Sequence, residues 1–340
     1  MVKVAVVILN WNGERLLKKF LSSVVKFTPA ANCLIVVADN GSTDNSISYA
    51  TEHFRTIRIV ELSQNYGFAE GYNRALKEID AEYYLLLNSD VEVTNDWLQP
   101  MVKYLDKNPE IAAAQPKILS FSDKGKFEYA GAAGGYIDKL GTPFCRGRVL
   151  ESVESDMGQY NSVEDVFWAS GACMLVRSRD FFDVGGFDSS FFAHMEEIDL
   201  CWRLRARNRR IVCFPQSVVY HLGGATLDEG SARKVYLNVR NNLFMLFKNL
   251  PDTELDKIIK KRILFNRIAA VKFYLTGKKE KCKAIFQAHK DFEALQGNYV
   301  AARQENMEKI VLTDIPEIYD GNIITDYYFR TKKLFTDFFS

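Results

Sequence analysis

Four short polar stretches carry most of the side chains in this sequence that could do chemistry. Glu196-Glu-Ile-Asp199 sets three acids within four residues, an arrangement whose repulsion is costly unless something uses it. Asp39-Asn-Gly-Ser-Thr-Asp44 and Asn88-Ser-Asp90 place acids directly after continuous apolar runs, and Asn10-Trp-Asn12 is polar in the same setting. A lone histidine, His221, follows Ser217-Val-Val-Tyr220. Each stretch also has a plain structural explanation. The three acids fit the positive end of a helix, with Asp199 and Arg203 as an i,i+4 pair; the other acids fit capped turns. No G-x-G occurs, and Gly125-Lys126 lacks the rest of a P-loop, so the glycine-rich phosphate cradles are absent. A nucleotide bound here would need a divalent metal to neutralise its diphosphate.

These groups need elements to hold them. Val2–Leu9 and Cys33–Ala38 are short β-branched runs of the kind found in parallel strands covered on both faces. Between them Leu16, Leu17, Phe20, Leu21, Val24 and Val25 recur at helical spacing. Helices are expected near Asp44–Phe54, over Ala69–Ile79 and from Asn95 to about Lys107. Strands are expected at Ile57–Leu62 and Tyr83–Leu87. This alternation predicts an α/β fold with a mostly parallel sheet and right-handed crossovers, whose ligands sit beyond the carboxyl ends of the strands. Three of the four polar stretches fall at such ends. Ser120–Val163 is richer in glycine and has no clear register, Cys173–Val176 is strand-like, and after His221 the pattern is helical.

The chain has 340 residues, 47% hydrophobic and 26% charged, enough for a sizeable core and too apolar for disorder. With 44 basic against 43 acidic residues, net charge argues for no particular partner. Six scattered cysteines form no C-x-x-C pair and read as the reduced thiols of a cytosolic protein. The apolar run Val4–Leu9 is too short for a secretory leader and reads as a buried strand, and no stretch approaches the ~20 apolar residues of a membrane span.

Taken together, Val6-Val-Ile-Leu-Asn-Trp-Asn-Gly13, Ala38–Asp44, Asn65–Asn73 and Leu87–Asp90 resemble glycosyltransferase family 2. The likeness continues through Ser170–Leu175, Gly185-Gly-Phe-Asp188 and Glu196–Leu200, and is nearest to the rhamnosyltransferase-like branch that builds bacterial surface polysaccharides. It covers roughly residues 3–245, seven pieces in register.

The resemblance implies a GT-A fold over residues 1–245, divided into a nucleotide-sugar half (1–120) and an acceptor half (121–245), with a mainly helical region over 246–340. It implies a nucleotide-sugar site at Leu9, Asn10, Asn12, Asp39, Asn40, Asn65, Gly67, Asn73, Asn88 and Ser89, with Asp39 accepting from a pyrimidine imide. Asn88 stands where the family has the first Asp of D-x-D. Asp90 and His221 would hold Mn²⁺ or Mg²⁺, a pairing of carboxylate with imidazole that suits Mn²⁺ better. Glu197, where the family usually has Asp, would be the general base. Trp168, Gly171, Glu196 and Asp199 would bind or orient the acceptor sugar. The implied activity is inverting, metal-dependent transfer of a sugar, with rhamnose suggested by the branch, from a UDP- or dTDP-linked donor to a glycan or lipid-linked acceptor. Two alternatives are a non-catalytic sugar-nucleotide or glycan-binding relative and a nucleotidyltransferase on a similar sheet.

From Lys257 to Lys290 eleven Lys or Arg face one acid, Glu280, with isoleucines, leucine, valine and aromatics between them. This pattern predicts a basic amphipathic helix, either lying on an anionic membrane surface, which would make the protein peripheral on the inner face of the cell membrane, or forming a solvated face. Nucleic acid is not an expected partner, since no binding module accompanies the charge. The aromatic stretch Asp314–Ser340 is expected to pack back, to make a homodimer or to touch membrane.

Overall fold

A computed structural model describes residues 1–223 and 231–339. Residues 224–230 of the helical run expected after His221, and Ser340 of the aromatic stretch, lie outside the described residues. The amino-terminal part alternates β1 (Val2–Asn10), α1 (Glu14–Phe27), β2 (Cys33–Asp39), α2 (Ser46–His53), β3 (Arg58–Glu61), α3 (Gly67–Lys77) and β4 (Ala81–Asn88). Strands β3-β2-β1-β4 pair in that order, all parallel. The register sets Asn10 opposite Asp39 and Leu9 opposite Asn88, so three polar strand ends align along one edge.

Next come β5 (Val91–Val93), α4 (Gln99–Lys107) and β6 (Ile111–Ser120). The sequence pattern announces no strand at β6, because Ile111-Ala-Ala-Ala-Gln-Pro-Lys is rich in a helix former and Pro116 lacks a ladder donor. Its position explains the alanines. Ala112, Ala113 and Ala114 are fully buried near the centre of the sheet, where small side chains let both covering layers approach.

The glycine-rich segment folds into a second sheet from β7 (Gly135–Asp138), β8 (Pro143–Cys145), β9 (Arg148–Val149) and β10 (Ser152–Val153). The main sheet is then completed by β11 (Glu164–Asp165), β12 (Cys173–Arg177) and, after α5 (Ser178–Asp183) and α6 (Glu196–Ala206), β13 (Arg210–His221). Its order is β11-β13-β6-β12-β4-β1-β2-β3, with β5 antiparallel to β13 and β12 antiparallel to β4 and β6.

The carboxy-terminal region contains α7 (Ala232–Asn249), α8 (Asp252–Leu275), α9 (Lys279–Leu295), α10 (Val300–Glu308), β14 (Ile318–Tyr319) and α11 (Ile323–Phe329). It is bound into the rest. β14 adds to the second sheet beside β7, and Phe335, Phe338 and Phe339 pack against Tyr136 and Phe144 at centroid distances of 4.8–6.1 Å. The aromatic stretch therefore packs back on its own chain. Arg205 of α6 makes a buried bidentate pair with Glu317, at 2.6 and 2.8 Å.

The tightest link joins α6 to α7. Asp199, wholly buried, accepts from Arg203 Nε at 3.0 Å, Lys248 Nζ at 2.9 Å and Asn249 Nδ2 at 2.9 Å. Lys248 also reaches Asp188 at 2.6 Å. Burial alone would raise Asp188, but the Lys248 ammonium outweighs it and holds that carboxyl below the ordinary range. Removing one partner of a buried ion cluster strands the remaining charge, typically at about 3–5 kcal/mol. Lys248→Met is therefore expected to lower the unfolding free energy by about 3 kcal/mol or more. Urea denaturation would measure it, and a loss below about 1 kcal/mol would show that the cluster relaxes around the gap.

Candidate active site

The aligned strand ends form one wall. Asn10 donates from Nδ2 to Asp39 Oδ1 at 3.1 Å, to Ser42 Oγ at 3.1 Å and to Ser46 Oγ at 2.9 Å. Asp39 also accepts from the Ser42 backbone at 3.0 Å on Oδ2, which leaves that oxygen room for a further donor. Asn12, at φ +50°, accepts from the Thr43 backbone at 2.7 Å and so ties the first strand end to the second. Asn40 donates to the Gly67 carbonyl at 2.9 Å and to Asn65 Oδ1 at 3.2 Å, placing Asn65 and Gly67 beside the same wall. Leu9 lies against Gly71 beneath it, where a Cβ on the glycine would come within 3.1 Å of Leu9 Cδ atoms. Asn88 and Ser89 are partly exposed at the end of β4.

Asn73 behaves differently. Its amide exchanges two hydrogen bonds with the Phe187 backbone, at 2.8 and 3.0 Å, and straps the Gly185–Asp188 turn to α3. Both ends of the side chain are engaged away from the strand ends, so the structure assigns it to the frame rather than to the nucleotide-sugar site.

Asp90 and His221 meet. The β5–β13 pairing sets His221 opposite Val91, and Nε2 lies 3.1 Å from Asp90 Oδ1, with both residues buried. Below them is a residue the sequence reading missed: Glu128 Oε2 is 3.4 Å from His221 Nδ1. No spacing announces Glu128, which arrives from an irregular segment after β6. Burial alone would push the imidazole down, yet the two carboxylates outweigh it and hold His221 at about 10. A carboxylate thus lies beside each ring nitrogen, Asp90 at Nε2 and Glu128 at Nδ1. Among the described residues no three His, Cys, Asp or Glu side chains cluster as a complete metal cage.

The opposite wall is the start of α6. Met195, preceding it, has φ +73°, and His194 and Phe192 are at +70° and +63°. Three such residues within four is strain that the surroundings must over-determine. They do so through α7. Asn241, wholly buried, donates its amide to the carbonyls of Phe191, Ala193 and His194 at 2.9, 3.0 and 2.8 Å. Arg240 holds the amide oxygen at 2.8 Å and the Ser190 carbonyl at 2.9 Å. The backbone N–H of Phe68 bonds the Phe192 carbonyl at 2.6 Å, and Gly67, at φ +80°, has no room for a Cβ beside Phe192. Asn241 was also missed. Asn241 and Lys248 lie two turns apart among the buried side chains of α7, where polar groups are costly unless paired.

Glu196 is buried and Glu197 partly so, and one oxygen of each has no hydrogen-bond partner among the described residues. Burial raises Glu197 to about 7, against the pull of the backbone N–H groups of Glu197 and Ile198. Burial and then the neighbouring Glu197 push Glu196 well above the usual carboxylate range. His194, lowered to about 4 by burial and by Lys234, is a neutral imidazole here. Gly171 lies against this pair: a Cβ there would be 3.9 Å from Glu197 Cβ and 3.1 Å from Phe68. The next residue, Ala172, accepts the Asn88 N–H at 3.0 Å, which joins the Glu197 wall to the end of β4.

Two expected acceptor residues lie elsewhere. Asp199 spends both oxygens on Arg203, Lys248 and Asn249 and is frame, not sugar ligand. Trp168 is core. Its ring lies on Gly135, where a Cβ would come within 2.0 Å, and its Nε1 donates to the Tyr136 carbonyl at 3.0 Å, so no face is left for a pyranose.

With this geometry in place the comparisons with known proteins become specific. The model of the family described as glycosyl transferase family 2 matches residues 5–177, half of the chain. The chain belongs to glycosyltransferase family 2. It is 28% identical over 223 residues to the N-acetylglucosaminyl-diphospho-decaprenol L-rhamnosyltransferase of Mycobacterium tuberculosis, covering 60% of this chain and 71% of that protein. It is 26% identical over 227 residues to the rhamnosyltransferase WbbL of Escherichia coli, covering 64% and 83%. The O-antigen biosynthesis protein RfbC of Myxococcus xanthus is 27% identical over 223 residues, 64% of this chain but only 17% of that much longer protein. These relatives place the chain with the rhamnosyltransferase-like members of the family, and it is a glycosyltransferase. Among solved structures, GalNAc-T7 with UDP, GalNAc and Mn²⁺ aligns with a TM-score of 0.57 at 16% identity, over 73% of this chain and 48% of that one. The mannosyltransferase PcManGT from Pyrobaculum calidifontis, with GDP-Man and Mn²⁺, gives 0.52 at 14%, over 91% and 84%. These likenesses establish the GT-A fold.

The raised carboxyls carry a stability cost with a definite sign. Because Glu197 titrates at about 7 in the folded chain against 4.5 ordinarily, the fold prefers its protonated form. That contribution is present at low pH and is lost as pH rises from 4.5 through about 7. Glu197→Gln removes the charge but not the shape. The variant is expected to melt roughly 2–4 °C higher than wild type at about pH 8 and to match it at about pH 4.5. Differential scanning calorimetry at the two values tests this, and an equal or lower melting temperature at the higher pH would refute the burial argument.

Proposed function

We propose that this glycosyltransferase moves a sugar with inversion from a nucleoside-diphosphate donor to a hydroxyl of a cell-surface polysaccharide or lipid-linked precursor. Rhamnose from a UDP- or dTDP-linked donor is the proposed cargo, and the named activities of the two rhamnosyltransferase relatives support that choice. The observation that carries the reading is the joining of two unlike sites across one backbone contact. Glu197, its carboxyl tuned to about 7, packs its Cβ beside Gly171, and the Asn88 strand end is bonded to the residue after that glycine.

In this reading Asn10, Asn12, Asp39, Asn40, Asn65, Gly67, Asn88 and Ser89 seat the nucleotide along the strand ends. Asp39 Oδ2 supplies the remaining acceptor for an imide N–H. Glu197 accepts the proton of the attacking hydroxyl at its carboxylate. A carboxyl near neutrality is well matched to that task. Glu196, whose carboxyl burial also raises, lies beside it and orients the acceptor sugar. Gly171 leaves the approach open because any side chain there would crowd Phe68 and Glu197.

The donor chemistry at Asp90 and His221 would fit Mn²⁺, or less well Mg²⁺: one hard oxygen and, once the ion displaces the Nε2 proton, one imidazole nitrogen, 3.1 Å apart, with Glu128 beside the other ring nitrogen. Bound there, the ion would neutralise the charge that develops on the departing diphosphate. With two ligands from the protein, the remaining positions would be left to the donor diphosphate and water.

Two measurements test the proposal. Asp90→Ala is expected to abolish the Mn²⁺-dependent part of donor binding in calorimetric titration while leaving the circular dichroism spectrum intact; unchanged affinity would remove the metal assignment. Glu197→Gln is expected to cut turnover by ~10²–10⁴ with donor affinity nearly unchanged. In the wild type the rate should rise with pH through about 7 as Glu197 ionises. A variant within threefold of wild type would move the base to another group.

A further inference from the structure

We propose that the outward face of α8, continued by α11, is a docking surface for an anionic lipid bilayer. Leu264, Ile268, Val271 and Leu275 recur at i, i+4, i+7 and i+11 and are 55–77% exposed, so they form one stripe along the helix. The other side of α8 is accounted for. Ile258, Asn266 and Ala270 are buried, and Arg262 turns inward to Thr142 Oγ1 at 2.6 Å. Flanking the stripe are Lys257, Lys260, Lys261, Arg267 and Lys272, all exposed, and no acid occurs from Lys257 to Lys279. Lys272 lies 5.5 Å from the ring of Tyr328 on α11, and the adjoining Phe329 is 83% exposed. The patch therefore runs unbroken from one helix to the next.

Its composition selects the occupant. A folded protein leaves a contiguous apolar stripe in water only where something covers it. Nucleic acid would meet the cations but leave the leucine, isoleucine and valine side chains unused. A second copy would bring ten or so like charges together across the contact, with no acid in the stretch to answer them. An anionic bilayer satisfies both parts at once: the apolar stripe enters the acyl boundary while the lysines and Arg267 meet the headgroups. Among the described residues no helix is long and apolar enough to cross the membrane, so attachment through this face would be reversible. The inference rests on the surface alone and stands or falls separately from the transfer reaction.

Co-sedimentation of the full chain with vesicles decides it. The protein is expected to pellet with vesicles of phosphatidylcholine containing one third phosphatidylglycerol, and not with phosphatidylcholine alone. At about 1 M salt, where the Debye length is about 3 Å, it should be released. The exposed-site variant Ile268→Ser/Val271→Ser and the charge variant Arg267→Gln/Lys272→Gln are each expected to weaken partitioning at least tenfold, with unchanged melting temperature and unchanged donor binding. Equal pelleting with both vesicle types, or with neither, overturns the proposal. So does a wild-type dimer in sedimentation velocity that Ile268→Ser/Val271→Ser converts to monomer, or retention on duplex DNA that the same substitutions leave intact.

Discussion

The buried carboxylate of Asp199 is the interaction on which the link between α6 and α7 depends. It has no contact with water, and its two oxygens are divided among Arg203, Lys248 and Asn249. A charge in that position is tolerable only when every partner is in place, since the cost of desolvating it exceeds what an incomplete set of bonds returns. Lys248 and Asn249 sit at the end of α7, and Lys248 also neutralises Asp188 at the turn that Asn73 straps to α3. The helix that carries Glu197 is thus ordered by residues about fifty positions downstream of it. The carboxy-terminal region is a structural condition for the acids at the head of α6 as well as an appendage to the fold.

The same helix restrains the loop before α6. Asn241 gathers three carbonyls that a backbone at positive φ turns away from any regular ladder. Without it the Ala193 and His194 carbonyls would lose this donor, each at roughly 1–3 kcal/mol where no other replaces it. Two turns apart on one face, Asn241 and Lys248 therefore fix both ends of the segment from Phe191 to Asp199. Rigid support of this kind lets two carboxyls stay close together out of water despite their repulsion.

How far the sequence could be read follows from the range of the interactions involved. Strands β1 to β4 and the helices between them were legible because their periodicity is local, and the three polar strand ends follow from them. That Asn10 would face Asp39 and Leu9 face Asn88 needed only the parallel register. The meeting of Asp90 with His221 was expected from resemblance rather than from spacing, since 131 residues separate them. Glu128 was invisible, as it comes from a segment without pattern. Trp168, Asn73 and Asp199 were read as sugar or nucleotide contacts because a polar or aromatic residue within a functional motif gives no sign of which way it faces. All three face inward, and the partners that turn them, Gly135, Phe187 and Lys248, are distant in sequence from the motifs that made them conspicuous. Alanine-rich β6 failed for the complementary reason, its helix-forming composition being overridden by burial on both faces.

The two acids at the head of α6 show what that inward-facing frame achieves. Glu196 and Glu197 share a helix terminus, a burial and a mutual repulsion, yet they are not equivalent. Glu196 is almost wholly enclosed and is pushed well above the usual carboxylate range by burial and by Glu197; Glu197 is raised by burial to about 7 against the pull of the N–H groups of the first turn. Had both been exposed, each would titrate near its ordinary value. The same helix terminus is pinned by α7 through Lys248 and Asn249 on Asp199, so the enclosure of the two acids depends on contacts made some fifty residues downstream.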